Sequence, residues 1–291
     1  MRPSATAVAA ALRRCGRSDV ALHLFDELPS TSRWLEERAA RADRQKPAAE
    51  GVPTDTVHGA PSVLCAVDLQ SAGYGRRGRR WASVRGNVAC SLLEHLPLAL
   101  ADLSGLSLVT GIAVAAALRE ETGLDVRIKW PNDLLVDDAK VGGLLTGVQG
   151  CHQGVGATPC ARVVSGIGLN VVHDPRIAAF GIGGTSLAAA GVTAVDRDHL
   201  LGLVGARVLD AHARFVREGW AAFAEAWRPL DALAGREIDV LLGKVRVRGR
   251  GLGVDGSGAL RVEIDGTERL FSGGETSIRP VRTGTSAGVL A

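Results

Sequence analysis

Val126-Arg127-Ile128-Lys129-Trp130-Pro131-Asn132-Asp133-Leu134-Leu135-Val136-Asp137-Asp138-Ala139-Lys140-Val141-Gly142-Gly143 decides how the rest of the chain is read. Val126 to Trp130 reads as a short strand, and Pro131, which has no amide hydrogen to give a ladder, ends it. Leu134-Leu135-Val136 reads as a second strand, Asp137-Asp138 as a turn, and Leu144 to Val148 as the returning strand. Hairpin links of this kind disfavour a purely parallel, doubly wound sheet. The class expected is α+β: a mixed β-sheet domain flanked by helices, then a small C-terminal β-barrel. The same stretch places chemistry. Lys129 ends a strand, Asn132 and Asp133 stand on the turn, and Lys140 lies on the returning arm, so two lysines and a carboxylate converge at one sheet edge. Lysines suit phosphate charge, and an aspartate suits a metal or the orientation of a nucleophile. A hairpin with solvated charges reads equally well from these residues alone.

Working outward, Val20 to Leu28 is a strand, and Trp34 to Arg38 a helix capped by Ser30 or Thr31. Residues 44–60, with Pro47, Gly51, Pro53 and Gly59, are a loop or insert. Ser62 to Leu69 and Asn87 to Leu93 are strands, the first buried. Asp102 or Ser104 opens a long apolar helix that stops at Gly123. Leu106 to Leu118 is its most apolar part and falls short of a membrane span. A Gly-rich piece, 150–158, leads to strand Ala161 to Ser165, and Gly166-Ile167-Gly168-Leu169-Asn170 reads as a tight turn. Helices follow over 196–217 and 219–227. After Gly235, short strands and the hairpin signals Asp255-Gly256 and Asp265-Gly266 mark an all-β module. The divisions expected are an N-terminal extension over 1–24, a main domain over 25–234, and the β-barrel with its tail over 235–291.

Ala72-Gly73-Tyr74-Gly75-Arg76-Arg77-Gly78-Arg79-Arg80-Trp81 is the second informative stretch. Its glycines permit sharp turns and close approach of backbone to a ligand. Its arginines are planar forks for phosphate or carboxylate, and its aromatics can stack on a base. A solvated basic loop or a nucleic-acid surface remains open on these residues alone. The net charge of +3 is too small to argue for nucleic acid by itself. Five cysteines without a C-x-x-C pair fit reduced thiols and not a zinc site. The start of the chain lacks the pattern of a secretory signal, so the expectation is a cytoplasmic protein without a membrane span. Gly166 to Asn170 matches only half of a dinucleotide fingerprint, and the chain has neither a phosphate-binding P-loop nor a G-x-S-x-G elbow.

Taken together and in order, five segments resemble the biotin–protein ligases. They are Gly73 to Trp81, Lys129 to Asp133, Lys140 with Gly142-Gly143, Gly166 to Asn170, and Gly273-Gly274-Glu275 to Arg279. The resemblance covers roughly residues 25–280. It implies that biotin and ATP give biotinyl-5′-adenylate and pyrophosphate, with magnesium, and that biotin then passes to one lysine of a biotin carboxyl carrier domain. It implies Lys140, Arg76, Lys129 and Asp133 as catalytic. Ser30, Thr31, Ser32, Gln70, Tyr74, Gly75, Arg76, Lys140, Gly166 and Gly168 would line the biotin site. Arg76, Arg79, Trp81, Lys129, Asn132, Lys140 and Asn170 would bind the nucleotide, with Trp81 near the adenine. Asp133 would hold the metal or the incoming amine. Pairing of two copies through sheet edges is a further implication.

Two positions depart from the family. Tyr74 stands where an arginine is usual, and Ser32 where the family's Ser-Thr-Asn has an amide. Some family members carry an N-terminal helix-turn-helix domain. The segment before the first strand is too short for three helices, so no DNA partner is expected. The competing readings are a lipoate-type ligase, a non-catalytic biotin or nucleotide sensor, and a nucleic-acid-binding protein.

Overall fold

In the computed structural model, residues 1–45, 61–151, 159–178, 183–273 and 276–280 are described. Most of residues 44–60 and 150–158, together with Gly274 and Glu275, therefore lie outside the described residues. The main sheet is built from β1 (Ala21–Leu28), β2 (Val63–Gln70), β3 (Val88–Leu96), β4 (Arg127–Lys129), β5 (Asp133–Val136), β6 (Ala139–Gly150) and β7 (Ala161–Leu169). Its spatial order is β1-β2-β3-β7-β6-β5-β4. β1 and β2 run parallel and every other pair is antiparallel. The sheet is thus mixed, as the hairpin pattern requires.

Two helical layers cover it. α2 (Thr31–Gln45) lies on one face, where Leu35 and Ala39 pack against Val63, Cys65, Leu93 and Val164. The other face carries α1 (Ala5–Arg14), α3 (Leu106–Thr122) and, after the short α4 (Pro175–Ala178), α5 (Arg197–Glu218). Ser30 caps α2, its hydroxyl accepting from the Arg33 amide at 3.4 Å. α1 crosses α5 closely: a Cβ on Gly202 would lie 2.5 Å from that of Ala11. Leu100–Thr122 is long and apolar enough to cross a membrane by length and composition, but the apolar residues of α3 are buried in the core.

Three local expectations need correction. α3 is capped by neither Asp102 nor Ser104; Gly105, at φ 84°, precedes it, where Trp220 would crowd a Cβ at 3.1 Å. Gly166 and Gly168 lie inside β7 and not in a turn, because β7 pairs with β3 and β6 as far as Leu169. Cys151 and Cys160 form a disulfide, whereas Cys15, Cys65 and Cys90 are free thiols. The register that opposes Gly150 and Ala161 continues to these two cysteines, a proximity that their spacing along the chain hides.

The C-terminal module follows α6 (Ala224–Trp227). Its strands β8 (Glu237–Leu242), β9 (Val245–Val254), β10 (Leu260–Ile264), β11 (Thr267–Phe271) and β12 (Thr276–Pro280) form one antiparallel sheet, ordered β11-β10-β9-β8-β12. Asp265 and Gly266 both take positive φ in the β10–β11 hairpin, the geometry an Asp-Gly turn supplies. Among the described residues no pairing joins β11 to β12, so the expected barrel is an open sheet. It shares one core with the main domain through Ile238, Val240, Leu260, Val262, Ile264 and Ile278. Trp130 donates to the Gly258 carbonyl at 3.1 Å, which ties the module to the β4–β5 turn.

Asp68, near the end of β2, is fully buried. It accepts from the Met1 ammonium (2.5 Å), Arg85 (3.0 Å), the Gly86 amide (3.1 Å) and Arg197 (2.6 Å). Burial opposes its charge, but the ammonium, the Gly86 N–H and Arg85 outweigh burial and hold the carboxyl at about 2, against an ordinary 3.8. A depressed folded pKa stabilises above the unfolded value and loses that stabilisation as pH falls through the folded one. Asp68→Asn should therefore cost about 1–2 kcal/mol at pH 7, allowing for the half-exposed Arg85. Urea midpoints should show the gap between the two proteins closing between pH 4 and pH 2.

Candidate active site

The β4–β5–β6 meander builds the charged end of the site. Lys129 and Asp133 are cross-strand partners, with a cis Trp130–Pro131 bond in the turn between them. Asp137 and Asp138, both at positive φ, make the next turn. A bulge between Leu134 and Leu135 then shifts the register so that Leu135 faces Lys140. In regular pairing Leu135 would oppose Val141, and Lys140 would point to the opposite face. The bulge turns Lys140 toward Asp133 and leaves Val141 in the core. Asp133 accepts from Lys129 Nζ at 2.7 Å and from Lys140 Nζ at 2.5 Å. Burial would raise its carboxyl; the two ammonium groups outweigh that and hold it below the usual carboxylate range.

The arginine-rich segment is a hairpin above this cluster. The Gly75 amide donates to the Arg79 carbonyl at 2.7 Å, Trp81 to Gly73 at 2.9 Å, and Tyr74 bridges Arg80. Arg77, at φ 59°, makes its tip. Arg76 donates to Asn132 Oδ1 at 3.3 Å, and Asn132 Nδ2 donates to the Leu144 carbonyl at 2.6 Å. Burial, with repulsion from Arg77 and Arg79 against the pull of Asp133, lowers the Arg76 pKa.

The opposite end is uncharged. Gln70 Oε1 accepts from the Thr31 amide at 2.9 Å. Ser91 shares hydrogen bonds with Thr31 (2.7 Å) and Ser32 (2.9 Å). The two β7 glycines serve side chains here. A Cβ on Gly166 would lie 2.8 Å from Ser32 Oγ, and one on Gly168 2.6 Å from the Trp81 ring. Trp81 thus beds on Gly168 and Gly143, with Lys140 Nζ 5.5 Å from its ring centroid. Asn170 braces the floor: its amide donates to the Thr185 carbonyl at 3.0 Å and to Lys140 at 3.4 Å.

All of Ser30, Thr31, Ser32, Gln70, Tyr74, Gly75, Arg76, Arg79, Trp81, Lys129, Asn132, Asp133, Lys140, Gly166, Gly168 and Asn170 line one cavity of about 430 Å³. Ser91, Arg77, Arg80, Gly184 and Ile278 line it too and were not singled out by the sequence reading. Ser91 had a signal, a lone hydroxyl in the buried run Val88 to Leu93. Ile278, from β12, lies within the Gly273 to Arg279 segment, which was quoted without any role for Ile278 itself. Among the described residues, six cationic side chains line the cavity against one carboxylate, Asp133. Both oxygens of that carboxylate already face lysines, and no metal-binding cluster of His, Cys, Asp or Glu exists among the described residues. The lining does not fit a protein-held magnesium, so the expectation that Asp133 is a metal ligand finds no support in this geometry.

Residues 56–170 match the model of the biotin/lipoate A/B protein ligase family. A biotin–[acetyl-CoA-carboxylase] ligase of Paracoccus denitrificans is 35% identical over 216 residues, 70% of this chain and 88% of that protein. The chain belongs to the biotin/lipoate A/B protein ligase family. The bifunctional ligase/repressor BirA of Escherichia coli is 35% identical over 217 residues, 74% of this chain; the match spans 66% of that relative's length. Among solved structures, the biotin protein ligase of Aquifex aeolicus in complex with biotin and ATP has the same fold. Its TM-score is 0.69 at 24% identity, over 90% of this chain and 99% of that one.

The glycine bed should be testable without a ligand. Gly168→Ala should displace Trp81 and destabilise the fold by about 1–3 kcal/mol, the usual cost of overpacking. Tryptophan emission should shift to the red, whereas Gly123→Ala, at an open helix end, should leave the emission unchanged.

Proposed function

We propose that this chain is a biotin–protein ligase that joins biotin to a lysine of a biotin carboxyl carrier domain through biotinyl-5′-adenylate. The observation that carries the reading is the position of Lys140. It stands at the junction between the hydroxyl-lined end of the cavity and its cationic end, paired to Asp133 and beside Trp81. A carboxylate is a poor acyl donor, and adenylation gives it a good leaving group. The biotin carboxylate attacks the α-phosphorus of ATP and pyrophosphate leaves. The acceptor amine then attacks the acyl carbon and AMP leaves. Both steps develop negative charge on oxygen, which pre-placed cations stabilise without reorganisation.

The residues divide accordingly. Lys140 bridges the biotin carboxylate and the α-phosphate. Arg76, Arg79 and Lys129 receive the other phosphates, Asn132 orients Arg76, and Trp81 packs beside the adenine. Asp133 holds the two lysines in place, then shares them with the incoming anions.

The other end favours biotin over lipoate. A cyclic urea has one carbonyl acceptor and two N–H donors. Ser30, Thr31, Ser32, Ser91 and Gln70 offer hydroxyls and an amide for both kinds of bond. A dithiolane ring has no N–H or carbonyl to engage them, so it gains none of the hydrogen bonds that a urea can make there.

The test is to incubate the protein with biotin, magnesium-ATP and a biotin carrier domain, and to follow adenylate formation and carrier mass. Neither adenylate nor mass gain would end this reading. Lys140→Ala should slow adenylate formation by at least about a hundredfold, the usual cost of losing a group that stabilises transition-state charge, with the melting curve little changed. Arg76→Gly should release adenylate faster, seen as biotin on bulk amines.

A further inference from the structure

Tyr74 is the one tyrosine of the chain. It stands in the first arm of the arginine hairpin, half-buried in the cavity wall. Ser30, the residue that caps α2, lines the same wall. The Arg33 guanidinium carbon lies 5.9 Å from the centre of its ring. Burial and the nearby Glu36 carboxylate raise the phenol's pKa, while Arg33 and Ser30 oppose them, so the phenol keeps its proton at neutral pH. The second arm of the hairpin is held separately, by Trp81 on Gly143 and Gly168.

We propose that Tyr74 and Arg33 form a latch that holds the arginine hairpin down over the hydroxyl-lined end of the cavity, which makes Tyr74 a positioning residue for the bound acyl donor. The residue type follows from its neighbour. An aromatic face attracts a guanidinium, whereas a cation at position 74 would repel Arg33. The chain thereby keeps a closing contact on α2 with a neutral lid residue. A reactive acyl phosphate needs such a cover, because water and stray amines would otherwise consume it. The identity of the bound donor rests on the ligase reading above; the latch itself does not.

Trypsin supplies a ligand-free test, because Arg76, Arg77, Arg79 and Arg80 are its sites and the fragments identify the cut by mass. When opening is fast relative to cleavage, the rate follows the open population. In the full chain, Tyr74→Ala should speed cleavage at 76–80 about threefold, the effect of losing one exposed guanidinium–ring contact, while Tyr74→Phe, which keeps the ring, should change it little. Arg33→Met should speed it as much, and its combination with Tyr74→Ala should add little, since both remove one contact. Arg33→Lys should restore part of the protection. With 3-fluorotyrosine the chain gives a single fluorine resonance, which should move in Arg33→Met while the melting curve stays in place. In steady state Tyr74→Ala should raise KM for biotin about threefold by the same argument and leave kcat near its original value. Unchanged cleavage in both Tyr74→Ala and Arg33→Met would overturn the latch whatever the ligand is. Faster cleavage that biotin with ATP does not suppress would uphold the latch and count against the biotin reading.

Discussion

One half-buried carboxylate governs the charged end of this molecule. Asp133 stands between Lys129 and Lys140 at 2.7 and 2.5 Å. Two ammonium groups held that close repel each other, and the carboxylate between them offsets the repulsion and fixes both in place. The arrangement depends on the meander: a cross-strand register sets Lys129 against Asp133, and the β5–β6 bulge swings Lys140 to the same face. Nearby, Asn132 ties Leu144 of β6 to Arg76 of the hairpin. The site is therefore organised around groups that anions of the right shape can share.

The other half of the design is steric. Close packing leaves no slack where glycines meet large side chains. Gly168 and Gly143 make a bed for Trp81, and Gly166 leaves room for Ser32. The hairpin is consequently pinned at one arm by a tryptophan on the sheet and touches α2 through its other arm at Tyr74. A segment rich in glycine and arginine has an ordered seat in this way without a hydrophobic core of its own.

Much of this was legible in the chain, for definable reasons. The mixed sheet followed from Pro131 and the Asp137-Asp138 turn, which break the 126–148 stretch into antiparallel arms. The cluster of cavity residues followed from motifs whose residue types suit phosphate. What escaped was three-dimensional register. Nothing in the local sequence announces a bulge between Leu134 and Leu135, yet it decides where Lys140 points. Gly166 and Gly168 read as a turn because glycine suits turns; in the fold they are strand residues that accommodate Ser32 and Trp81. The Cys151–Cys160 bond depends on the β6–β7 pairing. Hairpin signals mark the neighbouring strands of the C-terminal module but do not fix its closure. Ile278 enters the cavity from another module, a contact no short pattern encodes.

The central claim is that one cavity activates a urea-bearing carboxylic acid with ATP. The most direct measurement is isotope exchange between pyrophosphate and ATP, catalysed by the full chain with biotin or lipoate as the acid. No carrier domain is needed, so the first step is read alone. The account predicts exchange that requires biotin and is absent with lipoate. Exchange that is missing with biotin, or equal with both acids, would contradict it.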